Sequence, residues 1–136
     1  MSKEVLKQIE RLEFGDLVIV DWYDHTKREL RLNKKRKGKM ILDLPVTSFG
    51  CFITIAGEEI QHLIIMRDVF RWAQQGDFDI DIASIMVPAI KSIRVVANAA
   101  INPAYADDLA QAVKHGELRV VRVGKRVTLR RHLVPD

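Results

Sequence analysis

The chain has 136 residues, 48% of them hydrophobic and 29% charged, with a formal net charge of +4. That length suits one domain of ordinary size, burying roughly two thirds of its unfolded surface, so no covalent staple is required. The single cysteine, Cys51, excludes an intramolecular disulfide and a Cys-based zinc site, and no apolar run nears the ~18 residues of a membrane span. The first fourteen residues carry charges at every third or fourth position, unlike a signal peptide, and a cytoplasmic protein is expected.

Ser2 predicts an N-cap for a helix running to about Glu13, with Val5, Leu6, Ile9 and Leu12 on one stripe. Phe14-Gly15-Asp16 breaks it. Leu17 to Tyr23 follows as a first strand, apolar enough to be covered on much of both faces. Asp24 and His25 read as turn chemistry rather than a metal or acid-base cluster with Asp21, because adjacent strand positions point to opposite faces.

Residues 27–44 form a long arm between the first two strands. Lys27 to Lys39 carries eight basic residues against Glu29, a local charge of +7. At its tip Lys34, Lys35, Arg36, Lys37 and Lys39 repel one another unless solvent, salt or a polyanion neutralises them, so the tip is expected to be exposed.

Pro45 to Met66 is the stretch on which the rest is expected to pack. Two apolar strands, Phe49–Ile55 and Ile60–Met66, flank a tight turn at Ala56-Gly57-Glu58-Glu59, where Gly57 supplies a positive φ. Cys51 lies mid-strand as a small hydrophobe. Arg67 to Gly76 reads as a connecting loop with one helical turn. Asp77, Asp79 and Asp81 alternate with Phe78 and Ile80, which predicts a strand with three carboxylates on a solvated face. A calcium loop is a poor alternative, since Ile82 and Pro88 stand where its Gly and Glu belong.

Two short strands then follow, Ala83–Val87 and Ser92–Val96, joined by one tight turn that starts at Pro88, a residue unable to donate to a ladder. In order and length of elements, Phe14 to Ala97 resembles the small five-stranded barrels of the Src-homology-3-like and Sm-like kind. Gly15-Asp16-Leu17-Val18, Ser48-Phe49-Gly50 and Val87-Pro88-Ala89-Ile90 are similar to the pattern of small uncharacterised barrel proteins from archaea and their mobile elements. The resemblance implies a mostly β, α+β fold with a barrel core of Val18, Val20, Phe52, Ile53 or Ile55, Ile64, Met66, Ile85, Ile93 and Val95. It implies no catalytic residues. The arm is basic where a proline-peptide binder is aromatic, and Ala56-Gly57-Glu58-Glu59 replaces the nucleotide-pocket motif of Sm proteins, so neither ligand carries over.

Residues 98–136 read as a helix and hairpin appended to the N-terminal helix (1–13) and barrel (14–97). Asn102 and Pro103 start the helix, Tyr105, Leu109, Ala112 and Val113 form its apolar stripe, and Gly116 ends it. Leu118–Val123 and Arg126–Arg131 form a hairpin around Gly124-Lys125 that sets Arg119 opposite Arg130, an unfavourable pairing of roughly 0.2–1 kcal/mol unless an acidic group relieves it. Lys114 to Arg131 carries seven basic residues against Glu117, or +6. With +13 in two segments and +4 overall, the remainder stands at −9.

Charge segregated in this way fits a non-catalytic module that contacts the phosphate backbone of DNA or RNA through Lys34, Lys35, Arg36, Lys37, Lys39, Arg119, Arg126 and Arg130. Few aromatics lie beside these cations, so neither a stacking platform nor a base-edge code is expected, and Trp22, Tyr23 and Trp72 are expected to pack in the core or at the rim. The alternative is a structural protein without nucleic-acid binding, whose basic faces meet its own acidic remainder. The Tyr105/Leu109/Val113 stripe and the Leu118/Val120/Val127/Leu129 face predict a homo-oligomer, most simply a dimer. No catalytic residue, cofactor or metal site is predicted, because His25, His62, His115 and His132 are scattered without ligand spacing.

Overall fold

Among the described residues two α-helices and seven strands follow one another as α1 (Lys3–Glu10), β1 (Leu17–Asp24), β2 (Leu44–Ala56), β3 (His62–Arg71), β4 (Phe78–Met86), β5 (Ile90–Ala97), α2 (Pro103–Lys114), β6 (Leu118–Val123) and β7 (Arg126–Arg131). A computed structural model describes residues 2–24, 43–71, 78–123 and 126–131, with side chains from 2–24, 43–70 and 79–117. The strands make one antiparallel sheet in the order β5-β1-β2-β3-β4-β7-β6. The architecture is mostly β with two helices, an α+β arrangement. Among the described residues no strand pairing closes the sheet, which has β5 and β6 as its edges.

Ser2 caps α1, its hydroxyl accepting the Glu4 N–H at 3.1 Å. The helix stops at Glu10, short of Glu13. Asp16 explains the shortfall, because its carboxylate accepts the Glu13 N–H at 2.9 Å and Gly15 turns the chain at φ +89°. Val5 is buried, with Ile9 and Leu12 packed beside it, whereas Leu6, placed on the same stripe by spacing, is exposed.

Leu63, Ile64, Ile65 and Met66 are all buried in succession. Successive strand residues face opposite ways, so both faces of β3 are covered. Leu63 and Ile65 join Val18, Val20, Ile85, Val87, Ile90, Ile93 and Val5 of α1 in a first core. Ile64 and Met66 join Ile53, Ile80, Ile101 and the α2 residues Leu109 and Ala112 in a second. The single barrel core expected from the sequence is thus divided: Ile53, Ile64 and Met66 belong to the second cluster, and Val95 is exposed at the edge strand. A bulge between Phe52 and Thr54 shifts the phase, so that Phe52 and Ile55, three residues apart, both pack on the first core while Ile53 serves the second.

The α2 stripe packs on its own sheet, with Leu109 and Ala112 buried and Tyr105 and Val113 against them. It is not the surplus apolar surface from which a dimer was expected. Asn102 caps this helix through the Ala104 N–H at 2.9 Å. Its end is a Schellman motif, in which the Glu117 N–H reaches the Ala112 carbonyl, the Gly116 N–H that of Val113, and Gly116 sits at φ +66°. From there the chain enters β6 and then β7, which pairs with β4.

β3 also corrects the expected loop at Arg67–Gly76, since it runs on through Arg71 in a ladder with β4 that reaches Arg71↔Phe78. A bulge between Met66 and Asp68 lets polar Arg67 be accommodated without reversing the faces beyond it. The β2–β3 connection spans residues 57–61, longer than the four-residue turn expected, with Gly57 at φ +131°.

Gly50 fixes how closely β2 and β3 approach, because a Cβ there would lie 2.5 Å from the Met66 carbonyl oxygen. Gly50→Ala is expected to cost about 1–3 kcal/mol by forcing the strands apart, and Leu109→Ala about 2–5 kcal/mol by opening a cavity in the second core. Midpoints of chemical unfolding, with unchanged slopes, check both values; a Leu109→Ala loss below about 1 kcal/mol would mean that α2 is only loosely seated.

Candidate nucleic-acid interface

Lys34, Lys35, Arg36, Lys37 and Lys39 lie outside the described residues, but the roots of their arm are fixed. Asp24 at the end of β1 is in register with Leu44 at the start of β2, so the arm leaves and rejoins the sheet at one end. The Cys51↔Met66 pairing is antiparallel, which brings the Arg71 end of β3 to that same end, and Arg71↔Phe78 brings the start of β4 there too. β7 pairs with this stretch of β4, at Asp79↔Arg130, Ile80↔Leu129 and Asp81↔Thr128. The Arg119/Arg130 end of the hairpin is therefore attached at the same end of the sheet as the arm, while Arg126, at the other end of β7, lies away from it.

Within the hairpin, β6 and β7 pair from Leu118↔Arg131 to Val123↔Arg126, and Arg119 is directly opposite Arg130, as the two-residue connection predicts. The register with β4 adds an acidic neighbour on the other side: Asp79, Arg130 and Arg119 form one row across β4, β7 and β6. Asp79 is only 3% exposed, so the three aspartates do not make the solvated carboxylate face expected from their alternation; Asp77 lies outside the described residues. A carboxylate withdrawn from water costs several kcal/mol unless paired, and a residue of opposite charge occupies its register position. The three hairpin arginines thus differ. Arg130 adjoins Asp79, Arg119 lies on the edge strand, and Arg126 is beyond the pairing with β4.

The open half of the sheet carries a residue that sequence reasoning missed. Phe49 is 66% exposed in the middle of β2, in one row with Ile19 of β1 and Arg94 of β5. In the next row Asp21 accepts hydrogen bonds from Thr47 at 2.6 Å and Ser92 at 3.3 Å. Lys91 and Arg94 are exposed on β5. The neighbouring Ser48 is buried and faces the first core, where its hydroxyl accepts from Trp22 Nε1 at 3.0 Å and Arg67 Nη2 at 3.4 Å. That inward serine sets the phase that turns Phe49 outward, a contact across 26 residues that local alternation does not reveal. Trp22 packs against the first core and Tyr23 is half-buried; Trp72 lies outside the described residues.

The ionisable groups near these surfaces have local engagements. His62 Nδ1 lies 3.0 Å from the Ile60 carbonyl, and His115 Nε2 3.1 Å from Gln111 Oε1. Burial pushes the Cys51 thiol above its ordinary value, which favours the protonated, poorly nucleophilic form at neutral pH. Among the described residues no three His, Cys, Asp or Glu side chains are grouped to hold a metal, and no helix is long and apolar enough to cross a membrane.

Arg119→Glu tests the charge row: replacing a like-charge register pair by an unlike one is expected to raise stability by roughly 0.2–1 kcal/mol, read as a higher unfolding midpoint at low salt. A lower midpoint would show that Arg119 already has an acidic partner. No protein-family model, curated protein or solved structure matches this chain.

Proposed function

We propose that the protein is a non-catalytic module that binds DNA or RNA through phosphate contacts. Its contacts are Lys34, Lys35, Arg36, Lys37 and Lys39 of the arm, with Arg119, Arg126 and Arg130 of the hairpin. The observation that carries this reading is that the +7 arm and the Arg119/Arg130 end of the basic hairpin, in a chain of net +4, are attached at one end of a single sheet. A polyanion bridging them would neutralise charges of like sign that otherwise repel one another. In this reading Arg130 is the weakest contributor, since Asp79 already adjoins it, and Arg119 a stronger one.

The unit from Phe14 to Ala97 is read as a Src-homology-3-like or Sm-like barrel. The order β5-β1-β2-β3-β4 and the single 3-10 turn Val87–Ala89 between β4 and β5 support that reading. A structural, self-associating role without nucleic acid is the second reading, favoured by Val95 and Val96, both about half exposed on the edge strand β5.

Binding of a duplex and of a single strand at two salt concentrations separates the readings. The native chain is expected to bind with a log–log salt slope of about −0.9 per phosphate neutralised on duplex DNA, and changing Lys34, Lys35, Arg36 and Lys37 to Ser to flatten that slope. Arg119→Glu is expected to weaken binding while stabilising the fold, a split that marks a residue kept for its ligand. Absence of binding at low salt, or an unchanged slope in the arm variant, leaves the self-associating reading, with a dimer mass by light scattering as its signature.

A further inference from the structure

We infer that the open face of β5-β1-β2 is a stacking site for single-stranded nucleic acid, with Phe49 as its platform and Arg94 and Lys91 as its flanking cations. This rests on the nucleic-acid reading and names the strandedness of the ligand. Phe49 stands 66% exposed at mid-strand, where a buried aromatic ring would otherwise be expected. Ile19, beside it in the register, is half-buried and gives the ring an apolar floor, and Arg94 completes the row. An exposed ring with a guanidinium in the same row of the sheet suits a base freed from its pairing partner; bases within a duplex are stacked on one another and offer no face.

Two further observations favour a polyanion as the occupant. Arg94 is the charged residue of β5 in register with this face, and Lys91, left unpaired at the bulge between Ser92 and Ile90, is exposed near it, while the carboxylate of Asp21 in the next row is held by Thr47 and Ser92. The eighteen residues outside the described chain between Asp24 and Asp43 hold the +7 segment and are tethered to the two strands, β1 and β2, that carry Ile19 and Phe49. Phe49 lies five residues along β2 from Leu44, where that segment rejoins the sheet, or about 17 Å at ~3.4 Å per residue. The α2 helix leaves this face open, since its contacts are with Ile53, Ile64, Met66 and Ile80 on the other part of the sheet.

The test compares a labelled oligothymidylate with a duplex of equal length, at low salt, for the full chain and its Phe49→Ala, Phe49→Leu and Phe49→Trp variants. Phe49→Ala and Phe49→Leu are expected to lose roughly 5- to 100-fold in affinity for the single strand. Duplex affinity and the salt slope stay unchanged, because no charge is removed, and Phe49→Trp keeps or improves single-strand binding. Phe49→Leu retains apolar volume without a ring, so it decides the matter should the alanine variant misfold. Unchanged single-strand affinity in the leucine variant, while the arm variant loses binding, overturns the stacking site and leaves phosphate binding intact. Loss of a dimer mass in the Phe49 variants with unchanged affinity also overturns it, assigning the face to a second copy. No binding by the native chain overturns both this inference and the function on which it rests.

Discussion

Coverage of β3 on both faces is the constraint from which the remaining arrangement follows. A strand reading Leu63-Ile64-Ile65-Met66 must bury every residue, and burial of four such side chains is worth roughly 1.5–3 kcal/mol each only if neither face meets water. One face is supplied by the curl of β1, β2, β4 and β5 with α1 laid over Val18, Val20 and Ile93. The other needs an element from outside that set, and α2 provides it through Leu109 and Ala112. Residues beyond Ala97 are therefore part of what stabilises the central strand. The Gly15 N–H and the Phe52 carbonyl, with the Asp16 carbonyl and the Phe52 N–H, hold the approach to β1 against the β2 bulge, and the Ala100 N–H returns to the Gly15 carbonyl. These bonds bind the first turn, the bulge and the approach to α2 into one junction, so the two cores are coupled through the backbone as well as through the sheet.

Placing α2 there also decides where the cationic hairpin goes. The Schellman cap at Gly116 reverses the chain directly into β6, and β7 then adds to the free edge of β4. That edge contains Asp79, buried, and Asp81, half-buried, so a strand carrying Arg130 and Thr128 at the matching positions is electrostatically suited to it. The pairing leaves β6 as the new edge, and an edge strand bearing Arg119 and Arg122 resists further strand addition, because like charges oppose an identical neighbour. Charge on the hairpin thus has a role in the fold, through the row that Arg130 shares with Asp79.

Much of this was legible in the sequence because it is local. The caps at Ser2 and Asn102, the glycine ends at Gly57 and Gly116, the Pro88 turn and the Arg119–Arg130 register each depend on a few neighbouring residues, and each is found. What was not legible depends on contacts across the chain. Arg67 to Arg71 is polar enough to resemble a loop and is a strand because β4 supplies its ladder. Asp79 alternates with apolar residues as a solvated face would, and is buried because β7 arrives some fifty residues later. Ile64 and Met66 could not be separated from Leu63 and Ile65 without knowing that a helix covers the far face. The hairpin arginines of the candidate site were placed correctly in register, while Phe49 was read only as one more apolar strand residue.

Phe49 and Ile53 show why that last distinction matters. Both are large and apolar, both belong to β2, and they lie on the same side of the sheet, yet Ile53 is 3% exposed and Phe49 is 66% exposed. The difference is set by reach: α2 spans twelve residues, or about 18 Å at 1.5 Å per residue, and its contacts cover the β2-β3-β4 side while stopping short of the row that holds Phe49, Ile19 and Arg94. Folding alone gives no reason for an aromatic ring at the uncovered position, since threonine has comparable strand propensity and exposes far less apolar surface. Thr47, two residues earlier on the same face, shows what the fold accepts there, its hydroxyl satisfied by Asp21. A small polar residue would serve the sheet equally well at this position, so the ring of Phe49 is a feature that the stability of the fold does not require.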